Sequence, residues 1–414
     1  MKLFSGFVTL VTVKALTDVI GKTVMLVITI VAARRLNPDP FAIMAYAMAT
    51  GWLLGVATDA GLSMHLARET ARAHRRSRQL LLEVIQLRGG LAFLAATVAA
   101  LAAPLLVPRH WRMQFVLVVL AQLAAAVIET IAHYYRGLQR TDIESAIHAG
   151  YRIVMLVAAL IVLWWWRRLD YLAVAMLAPA LIAMLVSMVI AGRLAKHADA
   201  AEDAGPSLSP STFMRDVLPL GAGVLVSAIY FRIDVYFIQQ WHGFQPVGGY
   251  NAAFRLVEAM RLLPAAVMAV SFPMMVRATD TQTLRKISMG LTITGIAMAA
   301  VGVAGGAVII PLIYGDSYAY AATSFSILSM ALPLFFLNYA LTHQVIGWDG
   351  QRAYLAIAVL ALIANIAACV ALVPAHGIAG AAIATVLTEL VVTAGCLFAL
   401  RTRRSPRPMP AVSP

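Results

Sequence analysis

Charged side chains lie inside long apolar runs of this sequence, and their types suit the binding of an anion. Seven basic and seven acidic residues fall within such runs. A charge at the centre of a bilayer costs about 2.5–3.5 kcal/mol, so these groups must pair, reach an interface or face a wet cavity. The basic residues that we expect to attract an anionic ligand are Lys14, Lys22, Arg232, Arg255 and Arg261.

The spacing of two groups of charges places each group on one side of a helix. Lys14, Asp18 and Lys22 recur every four residues and would form a stripe about 12 Å long. The charges at positions 255, 258 and 261 recur every three residues, so we expect them to share a face as well. The two stripes could line a cationic cavity or could be ion pairs that only fix helix packing. The sequence leaves both interpretations open.

Several acidic residues could orient the cations or take part in coupling and gating. Asp234 stands two residues after Arg232 in an aromatic run, so the two side chains point in different directions on a helix. Asp59 could instead cap a helix end, and Glu129, with His133 one turn later, could form a proton site or a local hydrogen-bonded pair. The candidate charge partners or coupling residues are Asp18, Asp59, Asp234 and Glu258.

Long apolar runs surround these charges along all 414 residues. The chain is 61% hydrophobic and only 12% charged, with a mean hydropathy of +0.83, which excludes a soluble enzyme, a disordered chain and a coiled coil. Because twelve runs are long enough to cross a hydrocarbon core of about 30 Å, we predict an all-α polytopic membrane protein. The predicted transmembrane helices are 9–33, 41–66, 81–107, 113–133, 146–166, 171–192, 217–241, 249–276, 287–313, 323–346, 353–373 and 378–400.

A polar stretch at residues 193–216 divides the chain at its midpoint, with six predicted helices on each side. Its serines, prolines and charged residues are typical of a linker. A repeat of two six-helix halves is common in transporters. The predicted domains are an N-terminal six-helix lobe at 1–193, a cytoplasmic linker at 194–216, a C-terminal six-helix lobe at 217–400 and a basic cytoplasmic tail at 401–414.

The net charge of +13 follows this topology. The connections on one face hold 19 Lys and Arg residues, whereas those on the other face hold six. By the positive-inside rule the first face is cytoplasmic, and an even number of spans puts both termini there. Since the basic residues form small groups between apolar runs and not one clustered stripe, no nucleic-acid partner is expected.

Motifs for catalysis and cofactor binding are missing from the sequence. It contains no Walker motif, no zinc-protease helix motif, no Gly-x-Ser-x-Gly elbow and no DxD cluster. Cys369 and Cys396 lie within apolar runs and are expected to pack there without forming a metal site. We therefore predict a transporter that is not an enzyme and uses no cofactor or metal. A membrane-embedded glycan polymerase or glycosyltransferase is the alternative from another class.

Four segments carry a family pattern through their order and spacing. Residues 33–69 contain Thr58-Asp59-Ala60-Gly61-Leu62, and residues 230–273 contain Arg232-Ile233-Asp234 and the run from position 249 to 256. The other two segments are residues 313–318 and 373–382. Together they resemble the polysaccharide-transporter branch of the multidrug/oligosaccharidyl-lipid/polysaccharide exporter (MOP) superfamily, which contains the O-antigen and exopolysaccharide flippases.

This resemblance implies a fold and a function. The fold would be two six-helix lobes in a V around a central cationic cavity, as in MATE transporters. The function would be the flipping of an undecaprenyl-pyrophosphate-linked oligosaccharide across the bacterial inner membrane by alternating access, for O-antigen lipopolysaccharide, capsule or exopolysaccharide biosynthesis. Membrane lipids, a polysaccharide polymerase and a chain-length regulator would be the partners. A multidrug exporter of the same fold is the nearest alternative, although its cationic drugs would favour an acidic cavity.

Overall fold

Helices make up almost all of the described chain. The computed structural model describes residues 2–72, 77–198, 218–268, 281–348 and 350–402, and these ranges contain no strand. Short 3₁₀ helices cover Arg109–Trp111 and Asp316–Ala321. The α-helices are α1 (Lys2–Arg35), α2 (Pro38–Asp59), α3 (Leu62–Arg72), α4 (Ser77–Leu106), α5 (Arg112–Gly137), α6 (Thr141–Trp165), α7 (Leu169–Ala198), α8 (Leu218–Tyr230), α9 (Asp234–His242), α10 (Phe244–Met260), α11 (Thr281–Tyr314), α12 (Ala322–Met330), α13 (Leu332–Gly347) and α14 (Gln351–Thr402).

The described helices agree with the predicted membrane spans. Eight described helical segments are long and apolar enough to cross a membrane. A ninth span is obtained if Asp316–Met330 and Leu332–Gly347, which are bent by 42° relative to each other, are counted as one. Helix α14 has 52 residues, about 78 Å, which is more than twice a hydrocarbon core. Because its backbone is non-helical at Gly377 (φ 53°), α14 supplies the two crossings predicted at 353–373 and 378–400. Helices α1 and α10 lie at the two remaining predicted spans.

Local signals explain where α2 begins and ends. Pro38 occupies the first turn, where the missing N–H of proline leaves no hydrogen bond unmade. Ala60 and Gly61 then adopt positive φ angles of 45° and 87°, which stop the helix. The resulting turn leads into α3 and holds Asp59 at the end of α2.

Each half of the chain packs mainly within itself. In the N-terminal half, α5 contacts α2, α3, α4 and α7, while α1 packs on α6. In the C-terminal half, α14 contacts α8, α9, α12 and α13, and α11 packs on α12 and α13. The halves meet mainly where α2 contacts α10, with further contacts between α1 and α10 and between α2 and α8. The domain boundaries stay a prediction, since residues 199–217 and 403–414 lie outside the described residues.

Contacts near the C-terminal end of α1, at Arg34, hold the two halves together. The Arg34 guanidinium donates a 2.7 Å hydrogen bond from Nε to the carbonyl oxygen of Ile313 and a second bond to Leu312 at the end of α11. Nearby, the ring of Phe41 meets the ring of Tyr318 edge-on, with 5.4 Å between centroids. The sequence predicts that this end faces outward, so these contacts close the interface between the halves on the predicted outer side.

Candidate functional site

A cavity of about 490 Å³ lies between the two halves. Its size is within the range of about 300–1,000 Å³ that is usual for ligand sites. Five basic residues and three acidic residues of the described chain line it, together with two histidines. The charged and imidazole-bearing lining residues are Lys22, Arg88, Arg152, Arg232, Arg255, Asp59, Glu129, Glu258, His133 and His148. With neutral histidines, the lining carries a net charge of +2.

One part of the lining gathers most of the predicted site residues. Arg232 and Arg255 both donate to Oε2 of Glu258, at 3.1 and 2.8 Å. Lys22 of α1 lines the same cavity and exerts its charge on Glu258. We call these four residues the cationic corner. Arg232 and Arg255 contact the Glu258 carboxylate, whereas Lys22 acts on it through its charge, as does Arg261 from outside the cavity lining. The four residues of the corner carry a net charge of +2 at the junction of the two halves.

A break in the helix path holds Arg232 in the corner. Residues 231–233 form a turn between α8 and α9, and irregular backbone at membrane depth is tolerated where it lines a cavity. The guanidinium carbon of Arg232 lies 4.6 Å from the ring centre of Phe254 and 5.8 Å from that of Trp52. Such cation–π contacts stabilise a cation that is only 5% exposed. Its Nε is buried and has no hydrogen-bond partner among the described residues.

Arg261 does not reach the cavity. Its guanidinium carbon lies 4.4 Å from the ring centres of both Phe231 and Phe335, and the residue is absent from the lining. Helix geometry explains this, because six residues at 100° each place Arg261 about 120° away from Arg255. In addition, α10 ends at Met260. The expectation of a shared face holds for positions 255 and 258 only.

The acidic candidates have different surroundings. Asp59 lines the cavity and accepts a hydrogen bond from the Ser63 hydroxyl. Asp234 is 1% exposed, accepts a hydrogen bond from the Tyr250 hydroxyl and is not part of the lining. The side chains of Lys14 and Asp18 lie outside the described residues, so the stripe predicted on α1 is represented in the structure by Lys22.

Sequence reasoning did not select two arginines of the N-terminal half that line the cavity. Arg88 is 2% exposed and donates to the hydroxyl of Thr58 at 2.6 Å and to the carbonyl of Gly55 at 2.8 Å. Arg152 donates to the carbonyl of Gly21 at 2.7 Å, which ties α6 to α1. Arg152 is the single Asp, Glu, Lys or Arg in its apolar run, and Arg88 shares its run with Glu83 five residues earlier, so neither has a charged neighbour at helical spacing. The cost of an intramembrane charge counts both among the seven basic residues within the runs but does not select them as ligand-binding residues.

Glu129 belongs to a larger cluster than the predicted pair with His133. Arg136 donates to Glu129 and to the buried Glu144, both at 2.7 Å. His148 of α6 places its Nε2 3.7 Å from Oε2 of Glu129. His133 contacts the Glu129 carbonyl oxygen at 2.9 Å. The local contact is therefore present, but it is one part of a network between α5 and α6.

Comparison with known proteins places the chain in a family. Residues 8–279, about two thirds of the sequence, match the family model described as polysaccharide biosynthesis protein. The chain belongs to this family. Among the described residues, no group of three or more His, Cys, Asp or Glu side chains is placed to hold a metal ion.

One curated relative and several solved structures are similar to the chain. The probable flippase AglR of Haloferax volcanii is 31% identical over 165 residues, covering 37% of this chain. The match spans about a third of that relative's length (34%). The lipid II flippase MurJ, in an inward closed conformation, superposes with a TM-score of 0.69 at 10% identity, covering 94% of this chain and 87% of MurJ.

A multidrug resistance MATE transporter of the MOP superfamily, in an inward-facing conformation, also has a TM-score of 0.69, at 13% identity, covering 92% of this chain and 94% of that one. These likenesses establish the fold. The chain therefore has the helical fold shared by MurJ and the MATE transporter. The predicted fold class and family resemblance are confirmed.

Proposed function

We propose that this protein flips a lipid-linked oligosaccharide, carried on undecaprenyl pyrophosphate, across the inner membrane of a bacterium by alternating access. The anchor would bind in the cationic corner while its lipid chain stays in the bilayer. Both termini would lie in the cytoplasm, as the distribution of Lys and Arg predicts. The glycan would serve O-antigen, capsule or exopolysaccharide biosynthesis, where a polymerase and a chain-length regulator would use it.

The net charge of the cationic corner is the observation that carries this proposal. Lys22, Arg232 and Arg255 exceed Glu258 by two charges, and a pyrophosphate diester carries two negative charges near neutral pH. Attraction between them is strong because the effective dielectric constant of a protein site is about 20, compared with 80 in water. Since arginine donors also match the geometry of phosphate oxygens, the corner can position the anchor as well as attract it.

The same observation weighs against export of cationic drugs. A cavity with a net positive charge repels a cation, whereas the similarity in fold is equal for MurJ and for the MATE transporter. The alternative is a membrane-embedded glycosyltransferase or polymerase. It would be supported if the purified protein, mixed with sugar donors, synthesised new glycan. We propose transport without catalysis, in keeping with the flippase that the chain resembles.

Surface polysaccharide in the source organism tests the proposal. Arg255→Ala, made in the chromosomal gene, should abolish or strongly reduce the polymer on the cell surface. Arg401→Ala, at an exposed position near the end of α14, is the matched control and should leave the polymer at the level of the unchanged protein. Normal polymer in cells that contain normal amounts of the Arg255→Ala protein would contradict the role of the corner. Loss of drug resistance with unchanged polymer would instead support the exporter.

A further inference from the structure

We infer that the α5 wall of the cavity binds the sugar part of the substrate, while the cationic corner binds only the pyrophosphate. The inference rests on the proposed function and assigns it a second subsite. We define the α5 wall as the cavity-facing residues of this helix from Gln122 to His133, and its members are Gln122, Ala125, Ala126, Glu129 and His133.

The charges around the α5 wall balance, in contrast to those of the corner. Outside the corner, the described cavity lining carries two cations, Arg88 and Arg152, and two carboxylates, Asp59 and Glu129. Arg136 and the buried Glu144, which pair outside the lining, add one charge of each sign. Each arginine has its guanidinium engaged by a hydrogen bond within the protein. A wall without net charge offers a dianion little attraction. A neutral polyhydroxylated group has no charge to desolvate and can bind there through hydrogen bonds.

The side chains of the wall have the hydrogen-bonding chemistry that sugar hydroxyls require. A hydroxyl group both donates and accepts, and the wall offers the second carboxylate oxygen of Glu129 and the primary amide of Gln122. The Glu129 side chain is 46% exposed and gives its other oxygen, Oε1, to Arg136. Both ring nitrogens of His133 are engaged within the protein, by the Glu129 carbonyl and by Arg136, so this residue shapes the wall and adds no further donor or acceptor. Gln122 makes one long bond of 3.4 Å to the carbonyl of Met48, so most of its amide can turn to a ligand. Together these groups can accept from and donate to a glycan.

The shape of the wall also fits a chain of sugars. Gln122 and His133 are 11 residues apart, which is about 16 Å along a helix. This length accommodates more than one sugar ring. Between the polar groups the helix presents Ala125 and Ala126, and the small side chains leave room for rings to lie against the backbone. A larger side chain at position 125 would fill that room.

Binding measurements with two probes test the inference. Purified protein in nanodiscs is titrated with a bare anchor, the methyl diester of undecaprenyl pyrophosphate, and with the pool of undecaprenyl-pyrophosphate-linked oligosaccharides extracted from the source organism. Both probes are pyrophosphate diesters, so they present the same two negative charges to the corner. We expect the unchanged protein to bind the sugar-bearing pool about tenfold more tightly than the bare anchor. Ala125→Leu should remove most of that preference and leave the dissociation constant of the bare anchor unchanged. Gln122→Ala, which creates no clash, should lower the preference about threefold.

The controls separate failure of this inference from failure of the proposed function. Ala100→Leu adds the same carbon atoms at an exposed position of α4 and should not alter either constant. Equal affinity of the unchanged protein for both probes would overturn the inference, as would a preference that neither Ala125→Leu nor Gln122→Ala reduces. The proposed function would still stand in those cases if Arg255→Gln weakened binding of the bare anchor. A bare anchor that does not bind, or binds independently of Arg255, would overturn the proposed function itself.

Discussion

The net charge of the cationic corner can be changed in single steps, and we expect affinity for the anchor to follow it. Arg255→Gln lowers the net charge from +2 to +1, because Lys22 and Arg232 then face Glu258 alone. Glu258→Gln raises it to +3. The double substitution returns it to +2 with two neutral amides in place of an ion pair whose atoms are 2.8 Å apart. The three variants therefore separate net charge from any particular contact.

The size of the effect follows from the distances in the corner. Two unit charges 4 Å apart interact by about 4 kcal/mol at an effective dielectric constant of 20. Desolvation of the charged groups opposes part of this, and a hydrogen bond to a charged group contributes about 1.5–3 kcal/mol net. Arg255→Gln should therefore weaken the binding of undecaprenyl pyrophosphate by about 10- to 150-fold. The double variant should recover most of that loss.

The assay is a titration of each variant in nanodiscs with undecaprenyl pyrophosphate at several salt concentrations. Glu258→Gln should bind at least as tightly as the unchanged protein, and added salt should weaken its binding most. An Arg255→Gln protein with unchanged affinity would refute the reasoning. If the double variant binds as weakly as Arg255→Gln alone, net charge is not the determinant and Arg255 acts through its own contact with the anchor.

Two further substitutions test the interface between the halves and the network on α5. A Cβ added at Gly248 would lie 3.2 Å from the ring of Phe41, so Gly248→Val should separate the halves at the predicted outer side. Labelling of a cavity cysteine by an impermeant maleimide from that side should then increase. Gly290→Val, where a Cβ would meet open space, should not increase the labelling, and equal labelling in the two variants would contradict this account. Arg136→Ala removes the cation 2.7 Å from the buried Glu144 carboxylate and should destabilise the protein by about 3–5 kcal/mol. If the melting temperature of the Arg136→Ala protein in detergent equals that of the unchanged protein, Arg136 does not stabilise the fold through Glu144.

The sequence predicted the helices well because their signal is local. Each apolar run must satisfy its backbone within itself at membrane depth, so run length alone identifies a crossing. The turn at Gly377 separates two crossings of α14 that the sequence had already divided. The break that positions Arg232 had no such signal, because the aromatic run around it continues without glycine or proline. The two helices that meet at this turn, α8 and α9, both pack against α14.

The candidate site was predictable only in part, since spacing identifies shared faces within one helix and not contacts between helices. The spacing placed Glu258 on the same helix face as Arg255, with which it forms an ion pair. In the structure Arg232, from the turn between α8 and α9, also pairs with the Glu258 carboxylate. Arg261 follows the end of α10 and is absent from the cavity lining, although its charge still acts on Glu258. Arg88 went unselected because its partners lie on α2, 30 or more residues away in the sequence.

Transfer of a lipid-linked oligosaccharide between leaflets is the measurement that tests the central claim most directly. Proteoliposomes containing the purified protein would be loaded with undecaprenyl-pyrophosphate-linked oligosaccharide from the source organism, and the glycan exposed outside would be followed with an impermeant lectin or glycosidase. We predict that the unchanged protein moves the glycan across the membrane and that the Arg232→Ala/Arg255→Ala variant does not. Transfer at the rate of protein-free liposomes, or equal transfer by the variant, would contradict the account.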